Sequence, residues 1–383
     1  MDNYPKSYIE KLTLTDYRNY DNLVLHTGPE PIILLGDNGA GKTNILEAVS
    51  LLSPGTGMRR APYADLGRIG GDNSWAVSAQ FHTDSGPLNI GTGALPMGGP
   101  GERAGRIVRI NGENTRGTNV LGEYVELVWL TPSMDRLFTG PASDRRRFLD
   151  QLISCFDGGY RKRLGQFERA LRQRNKLLEL EGVSSPQLNG LEIHVAEVGV
   201  GVAASRLEAV NQLTASIGLR RETHKSSAFP WPVVEIDGTV EAWLMEMPAV
   251  EAEDNYCRTL YAGRARDRAA KRTLDGPHRS DFLVAHGPKS MPAKVCSTGE
   301  QKALLISLIL AHAELVSRMR DFGAPLLLLD EIAAHLDETR RASLFEELLE
   351  LGSQAWMTGT DLSDFEALKD RAKFCNIVDG TVT

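Results

Sequence analysis

GDNGAGKT, residues 36–43, has the spacing G-x-x-x-x-G-K-T and lies between two apolar segments of different character. The run at 31–35 is continuously apolar, which is typical of a buried parallel strand. In 43–52 the apolar residues fall near one helical face. A strand, a glycine-rich loop and a helix in this order predict a phosphate-binding loop, or P-loop. The alternative is a chance Gly-Lys-Thr in a glycine-rich turn, which the flanking segments disfavour.

The residue types in this loop suit a nucleotide phosphate. Glycines let backbone N–H groups turn toward an anion, and the start of the following helix adds positive potential. Lys42 is expected to reach the β- and γ-phosphates and to serve catalysis, and the Thr43 hydroxyl is expected to bind Mg²⁺. The predicted nucleotide-binding residues of the loop are Gly36, Asp37, Asn38, Gly39, Ala40, Gly41, Lys42 and Thr43.

PLLLLDE, residues 325–331, predicts the acidic half of the same site. Four leucines form a buried strand, and two acids follow at its carboxyl end, where ligands bind in open α/β sheets. Asp330 is expected to hold Mg²⁺, directly or through water, and Glu331 to orient and deprotonate an attacking water. A surface acidic pair after an apolar strand is the alternative. Thr43 and Asp330 are 287 residues apart, so both chain ends must fold together around an insertion.

CSTGEQ, residues 296–301, opens a predicted helix and resembles the S-x-G-x-Q signature of ABC-type ATPases. In those proteins the signature of one subunit meets the γ-phosphate held by another. Ser297 and Gly299 are therefore candidate nucleotide contacts across a dimer. A plain helix N-cap fits equally well in isolation. The order P-loop, signature, LLLLDE is the ABC order, and Leu336-Asp337 is placed like the D-loop of such dimers.

The patterning changes twice along the chain. Strand-like segments dominate up to about residue 130, apolar residues at three- and four-residue spacing dominate from 132 to 272, and both signals alternate after 276. We therefore predict an α/β fold, an ABC-type P-loop ATPase head with an inserted, mainly helical second lobe. The predicted parts are 1–131 and 273–383 for the head and 132–272 for the lobe.

Composition excludes several classes of protein. The chain has 383 residues and a net charge of −7, and its first residues are too polar for a signal peptide. The longest apolar run is too short to span a bilayer, so no membrane partner is expected. Four cysteines without a C-x-x-C pair favour neither a disulfide framework nor a zinc site. A reducing cytoplasm is the expected compartment.

Basic residues cluster in the predicted lobe. Residues 161–176 hold seven Lys or Arg against one acid, and a second basic cluster lies at 258–272. Such clusters can form a basic surface on an acidic protein, or only a solvated helix face, and composition supports both equally. The candidate DNA-binding residues are Arg161, Lys162, Arg169, Arg172, Arg174 and Lys176.

Four longer motifs resemble those of one family. TDYRNY (15–20) is similar to the N-terminal signature of the RecF family of bacterial recombination and repair ATPases, and TGPASDRRRFLD (139–150) to its G-x-P-x-x-x-R-R-x-F-L-D motif. DGPHRSD (275–281) resembles its G-P-H-R-D-D element, with Ser280 at the first of the two acidic positions. LLLLDEIAAHLDETRR (326–341) resembles its last motif, so the resemblance extends over the whole chain.

The resemblance implies ATP and Mg²⁺ as cofactors and a head-to-head, ATP-dependent homodimer with two nucleotides in its seam. It further implies a clamp on double-stranded DNA near gaps, reset by slow, DNA-stimulated hydrolysis. RecR, with RecO, is the implied partner in loading RecA and supporting SOS induction. The resemblance also favours duplex DNA as the ligand of the basic residues.

The sequence departs from the wider ABC pattern at two positions, which bears on rival functions. No Q-loop glutamine is evident, since Gln80 lies in strand-like sequence, and Thr358, Gly359 and Thr360 stand where a switch histidine is expected. A transporter-type ABC subunit would need both features. An SMC-like DNA-tethering ATPase would need helices far longer than the predicted 20 to 28 residues. A binding module without hydrolysis is disfavoured by Glu331.

Overall fold

The structure, a computed structural model, describes residues 5–95, 105–180, 185–320, 323–334, 336–378 and 380–382. Within it the chain forms two compact units, which interleave in sequence. The first comprises Met1–Asp135, Ser226–Phe229 and Leu305–Thr383, and the second Arg136–Lys225 and Pro230–Leu304. The predicted lobe boundary at residue 272 therefore falls inside the second unit.

Strands and helices are numbered in chain order. The strands are β1 Ser7–Tyr17, β2 Tyr20–His26, β3 Ile32–Leu35, β4 Trp75–Thr83, β5 Leu88–Ala94, β6 Arg106–Ile110, β7 Glu113–Asn114, β8 Leu127–Leu130, β9 Pro232–Asp237, β10 Asp281–His286, β11 Met291–Pro292, β12 Leu326–Leu329, β13 Ala355–Gly359, β14 Lys373–Val378 and β15 Thr381–Val382. The helices are α1 Lys42–Ser50, α2 Ala142–Phe156, α3 Tyr160–Glu179, α4 Ser185–Thr223, α5 Thr239–Glu246, α6 Ala249–Ala262, α7 Arg264–Ala270, α8 Thr298–Met319 and α9 Glu338–Leu351.

A largely parallel sheet organises the first unit, with the strand order β15-β14-β3-β13-β12-β8. The segments IILL, LVWL and LLLL of β3, β8 and β12 are buried along their whole length, because a parallel sheet is covered on both faces. The strands predicted from the apolar runs at 31–35 and 325–329 are thus confirmed. Strand β13 lies between β3 and β12, which brings the carboxyl ends of the two motif-bearing strands close together.

The second sheet of this unit is antiparallel, with the order β2-β1-β4-β5-β6-β7. Burial alternates along β4, as it should when one sheet face packs on the core. Asn-Gly is a hairpin-turn signal in sequence, and Asn111-Gly112 forms such a turn between β6 and β7, since both residues have positive φ, 50° and 88°. The glycine-rich sequence of 91–105 predicts a hairpin loop, but this segment is strand up to Ala94, and its residues 96–104 lie outside the described chain.

Helices α2 to α7 build the second unit around a three-stranded antiparallel sheet, β11-β10-β9. Strand β9 lies in a section where Pro230, Pro232 and Gly238 predict less regular structure. Its residues alternate between buried and exposed, and it pairs along its length with β10. Helix α4 has 39 residues and is about 58 Å long, well beyond the predicted 20 to 28 residues. None of the described helices is both long and apolar enough to cross a membrane.

Candidate nucleotide site

The two predicted halves of the site meet at a hydrogen bond. The Thr43 hydroxyl, at the start of α1, donates to Asp330 Oδ1 at 2.9 Å. These residues follow β3 and β12, whose carboxyl ends are separated only by β13. The sheet order therefore explains how residues 287 positions apart become neighbours.

The loop between β3 and α1 has a backbone that only glycine adopts readily. Gly36 and Gly41 have φ values of 149° and 113°, in the region that side chains disfavour. At Gly41 an added Cβ would also lie 2.5 Å from Asn19 Nδ2 and 2.6 Å from the Tyr20 hydroxyl oxygen. Both conformation and packing thus require glycine at Gly41.

Lys42 is 6% exposed, and its ammonium is held inside the loop. Its Nζ donates to the carbonyl oxygens of Gly36 and Asp37, the latter at 2.8 Å. Burial lowers the pKa of Lys42, while the charges of Glu331, Asp330 and Asp37 act in the opposite direction. A cation that donates to carbonyl oxygens, with three acids within electrostatic reach, is well placed to bind a phosphate.

Asp330 is 6% exposed, and its Oδ1 accepts two hydroxyl protons. One comes from Thr43 and the other from Thr358, at 2.8 Å. Thr358 also accepts the backbone N–H of Glu331 at 2.8 Å. The sequence indicates Thr358 only as a residue that stands where a switch histidine is expected, and its contact with Asp330 was missed. The available signal was a hydroxyl near the end of the otherwise apolar, buried strand β13.

The pair Thr43 and Asp330 fits a magnesium ion. The Thr43 hydroxyl gives its proton to Asp330, which leaves the oxygen lone pairs available for a cation. Mg²⁺ is commonly held by one or two protein oxygens, with waters and substrate phosphates as its other ligands. These two residues would therefore hold the ion beside a nucleotide bound in the loop.

Glu331 differs from its neighbour in conformation and exposure. Its φ of 51° lies in the left-handed region, and its side chain is exposed. Among the charged groups that raise the pKa of Lys42, Glu331 has the largest effect. The carboxylate thus lies at the open side of the site, within electrostatic reach of the P-loop.

Ser297 and Gly299 lie at the start of α8, in the second unit. The Ser297 backbone N–H donates to Glu300 Oε2 at 2.9 Å, and the Glu300 backbone N–H donates to Ser297 Oγ at 3.4 Å, so the two residues form a capping box. The Ser297 hydroxyl also donates to Glu300 Oε2 at 2.9 Å. An ion pair with Lys289 and the Ser297 bonds lower the pKa of Glu300 to about 2. The helix-capping interpretation of this motif is therefore realised, and its contact with a second subunit stays a prediction.

Comparison with known proteins identifies the family. A family model described as RecF/RecN/SMC N terminal domain matches residues 8–371. A DNA replication and repair protein RecF of Mesorhizobium japonicum is 50% identical over 377 residues, 98% of each chain. The chain belongs to the RecF family. A RecF of Rhizobium rhizogenes is 47% identical over 378 residues, 99% of each chain.

Solved structures share the fold. The recombination mediator protein RecF-ATPrS of the RecFOR pathway has a TM-score of 0.84 at 24% identity, covering 100% of this chain and 99% of that one. An SMC head bound to the C-terminal winged-helix domain of ScpA has a TM-score of 0.54 at 14% identity, covering 98% and 97%. The predicted ABC-type ATPase head fold is thus confirmed.

The motif TDYRNY, which suggested the RecF family, supports the P-loop. Arg18 Nε and Nη2 bind the Glu47 carboxylate of α1 at 2.9 and 2.8 Å. Asn19 accepts from Asn44 Nδ2 at 2.7 Å and donates to the Ala40 carbonyl at 3.3 Å. Sequence reasoning used these residues only for the resemblance and missed this role. The motif fixes α1 and the loop from the side of the antiparallel sheet.

Helix α3 of this RecF-family chain carries an exposed basic face. Its members recur at spacings of seven, three and four residues, which place them on one side of a helix. They are Lys162, Arg169, Arg172 and Lys176. Arg161 is only partly exposed, and Arg172 lies 3.8 Å from Glu168. We call the four exposed residues, Lys162, Arg169, Arg172 and Lys176, the α3 basic face.

The prediction that Arg174 contacts DNA is wrong. Its side chain is 0% exposed, on the same buried stripe of α3 as Phe167 and Leu178. Its guanidinium donates to Glu192 at 3.0 Å and to Asp267 at 2.7 Å, and also to Thr273 Oγ1 and the Leu260 carbonyl. A charge so placed holds the second unit together. The signal was its spacing of seven from Phe167 and four from Leu178.

The second basic cluster is partly neutralised. Arg264 pairs with Glu192, and Arg266 pairs with Asp275. Arg268 donates to the Leu178 carbonyl at the end of α3, whereas Lys271 and Arg272 are exposed. Residues on either side of Lys271 and Arg272 contact α3, since Arg268 donates to the Leu178 carbonyl and Thr273 donates to Asn175 Oδ1 at 2.9 Å.

Proposed function

We propose that this protein is an ATP-dependent DNA-binding protein of recombinational repair and SOS induction, which acts in the cytoplasm. The observation that carries the proposal is the Thr43–Asp330 hydrogen bond, because it joins the P-loop to the acidic strand end that a nucleotide–Mg²⁺ site needs. The relatives named DNA replication and repair protein RecF support the biological setting. A solved structure described as RecF-ATP in the RecFOR pathway supports ATP as the nucleotide.

In the proposed reaction Lys42 binds the β- and γ-phosphates of ATP through its ammonium. Thr43 and Asp330 would hold Mg²⁺, which would neutralise phosphate charge when bound. Glu331 orients a water and takes its proton as the water oxygen bonds to the γ-phosphorus. The bond between the γ-phosphorus and the β–γ bridging oxygen breaks, so that ADP leaves and phosphate is formed. The reaction is slow and DNA-stimulated, so that hydrolysis acts as a switch.

The active form is a head-to-head homodimer assembled by ATP. Ser297 and Gly299 of each subunit face the nucleotide held by the other, so two nucleotides lie in an isologous seam. The position of Ser297 at a helix start supports this use, since such an end attracts phosphate. Release of phosphate then opens the dimer.

Double-stranded DNA near gaps is the proposed substrate of the clamp. The exposed positions of Lys162, Arg169, Arg172 and Lys176 support contact with the phosphate backbone. Such contacts fix position without reading sequence, which suits a protein that recognises a DNA structure. By family membership we further propose that RecR, together with RecO, is its partner in loading RecA.

Sizing of the purified protein by light scattering tests the proposal. With ATP, Mg²⁺ and a short duplex, the mass should rise to that of a DNA-bound dimer, twice the 42.0 kDa chain plus the duplex. The Lys42→Met variant should remain a monomer, because it lacks the cation at the phosphates. Lys225→Met, which removes an exposed lysine elsewhere, is the control and should dimerise. A parental protein that stays monomeric with all three ligands would contradict the proposed mechanism.

A further inference from the structure

Thr358 is a polar residue buried near the carboxyl end of β13. That strand lies between β3 and β12, and its register places Thr358 beside Leu34 on one side and Met357 beside Leu329 on the other. Asp330 directly follows Leu329, so the Thr358 side chain reaches it across the gap between the strands. Thr358 is 0% exposed, so its side chain is buried in the sheet and does not face the solvent-accessible side of the nucleotide site.

One hydroxyl makes two directed contacts at this point. Its proton goes to Asp330 Oδ1 at 2.8 Å, and its oxygen accepts the Glu331 N–H at 2.8 Å. Thr43 donates to the same Asp330 oxygen at 2.9 Å. Asp330 Oδ1 is therefore held by two hydroxyls, one from the P-loop helix and one from β13.

The contact with the Glu331 N–H lies at a strained turn. The φ of 51° at Glu331 is unfavourable for a residue with a side chain, and surrounding contacts must hold it there. The Thr358 oxygen accepts the hydrogen bond of this residue's own N–H. It thus fixes the direction in which the Glu331 side chain leaves the strand end.

We propose that Thr358 is a positioning residue for the nucleotide–Mg²⁺ site, aiming the Asp330 carboxylate and holding the turn that presents Glu331. This inference rests on the proposed function. Thr358 acts through the two acids rather than on the nucleotide, because its only hydroxyl proton is used by Asp330 and the side chain is fully buried. Residues that orient metal-holding groups in this way set metal affinity without touching the metal.

The test compares Thr358→Val, which keeps the shape and removes the hydroxyl, with Thr358→Ser, which keeps the hydroxyl. ATP binding is measured by calorimetry over a series of Mg²⁺ concentrations and in EDTA. For Thr358→Val, the Mg²⁺ concentration at half-maximal binding should rise about 10-fold or more. Binding in EDTA should equal that of the parent, and Thr358→Ser should follow the parent in both conditions.

The results distinguish the proposed role of the Thr358 hydroxyl from the proposed function of the protein. A parental Mg²⁺ requirement in Thr358→Val, or a requirement in Thr358→Ser as high as in Thr358→Val, would overturn the role of the hydroxyl. Should Thr358→Val fail to fold by circular dichroism, Thr358→Ala takes its place with the same expected shift. A parent that binds ATP with no response to Mg²⁺ would overturn the proposed function, whereas a responsive parent with an unshifted Thr358→Val overturns only this inference.

Discussion

Asp330 and Glu331 are adjacent acids with different surroundings. Asp330 is buried, and two hydroxyls fix one of its oxygens. Glu331 is exposed on a left-handed turn. A carboxylate fixed by hydrogen bonds suits metal binding, and an accessible one suits proton transfer from water. We therefore expect the two acids to divide the metal and base roles.

The Glu331→Gln variant should bind ATP like the parent and lose turnover by about 10²-fold or more, because the amide keeps size and hydrogen bonding but cannot take a proton. It should accumulate as an ATP-bound dimer, which phosphate release and sizing would measure. Glu338→Gln, an exposed change in the first turn of α9, is the control and should keep parental turnover. Unchanged turnover in Glu331→Gln would transfer the base role to another residue.

Helix α3 shows how one element carries two kinds of arginine. Arg174 lies on its buried stripe and binds two acids, whereas Arg172, two residues earlier, is exposed. The buried charge is compensated by hydrogen bonds on each of its nitrogens. Without Arg174, the buried Asp267 carboxylate would lose its 2.7 Å ion pair and keep a longer contact with Arg266 at 3.9 Å, which costs more stability than losing an exposed pair.

At this scale we predict opposite outcomes for two matched changes. Arg174→Met should lower the stability of the second unit by about 3 kcal/mol or more. Arg172→Met, which removes an exposed partner of Glu168, should change it by less than about 1 kcal/mol. Thermal and urea unfolding of both variants would measure the difference. Equal unfolding midpoints would show that the Arg174 contacts do not stabilise the unit.

The α3 basic face gives a separate prediction. The triple change Arg169→Glu, Arg172→Glu, Lys176→Glu should weaken duplex binding and flatten the slope of log affinity against log salt by about 0.9 per lost contact. ATP binding should persist, because the residues lie in the second unit. Fluorescence anisotropy with ATP at several salt concentrations measures both quantities.

A charge-preserving triple change is the control for this face. Arg169→Lys, Arg172→Lys, Lys176→Arg keeps three positive charges and should keep the parental affinity and slope. Loss of affinity should be similar across DNA sequences, since phosphates carry no base information. If the glutamate variant retains the parental slope, this face is only a solvated helix surface, and Lys271 and Arg272 become the next candidates.

At the scale of the whole molecule, the chain ends build one unit and the middle builds most of another. Segments 1–135 and 305–383 share the nucleotide sheet, and residues 136–225 and 230–304 form the second unit. The P-loop and Asp330 belong to the first unit and Ser297 to the second. In the proposed dimer each nucleotide would be enclosed by the first unit of one subunit and the signature of the other.

Ser297→Arg should therefore spare ATP binding by the monomer and abolish ATP-dependent dimerisation, because a bulky cation would occupy the seam. Equilibrium sedimentation with ATP and Mg²⁺ measures the dimer, and calorimetry measures ATP binding. Ser85→Arg, an exposed change in the turn between β4 and β5, is the control and should dimerise. Dimers of Ser297→Arg at parental concentration would rule out this use of the signature.

Local patterns in the sequence were sufficient for the nucleotide sheet and the P-loop. The apolar runs of β3 and β12 indicate buried parallel strands, and the loop spacing predicts the phosphate site. The proximity of Thr43 and Asp330 could also be predicted, since each motif follows a strand of one sheet. These features are readable because each depends on a short segment and on the periodicity of its own side chains.

Tertiary structure alone decided the rest, because the deciding partners come from distant segments. Arg174 resembles the other arginines of its helix in sequence. Its role depends on hydrogen bonds to Asp267, 93 residues away, and to Glu192, which only the folded chain brings near. Strand β9 becomes a strand through its pairing with β10. In the sequence, Thr358 lies in a largely apolar segment with no sign of a partner. It contacts Asp330 because β13 lies between β3 and β12 in the folded sheet. A hydrogen bond is short and directional, so only the folded chain determines which groups lie within its reach.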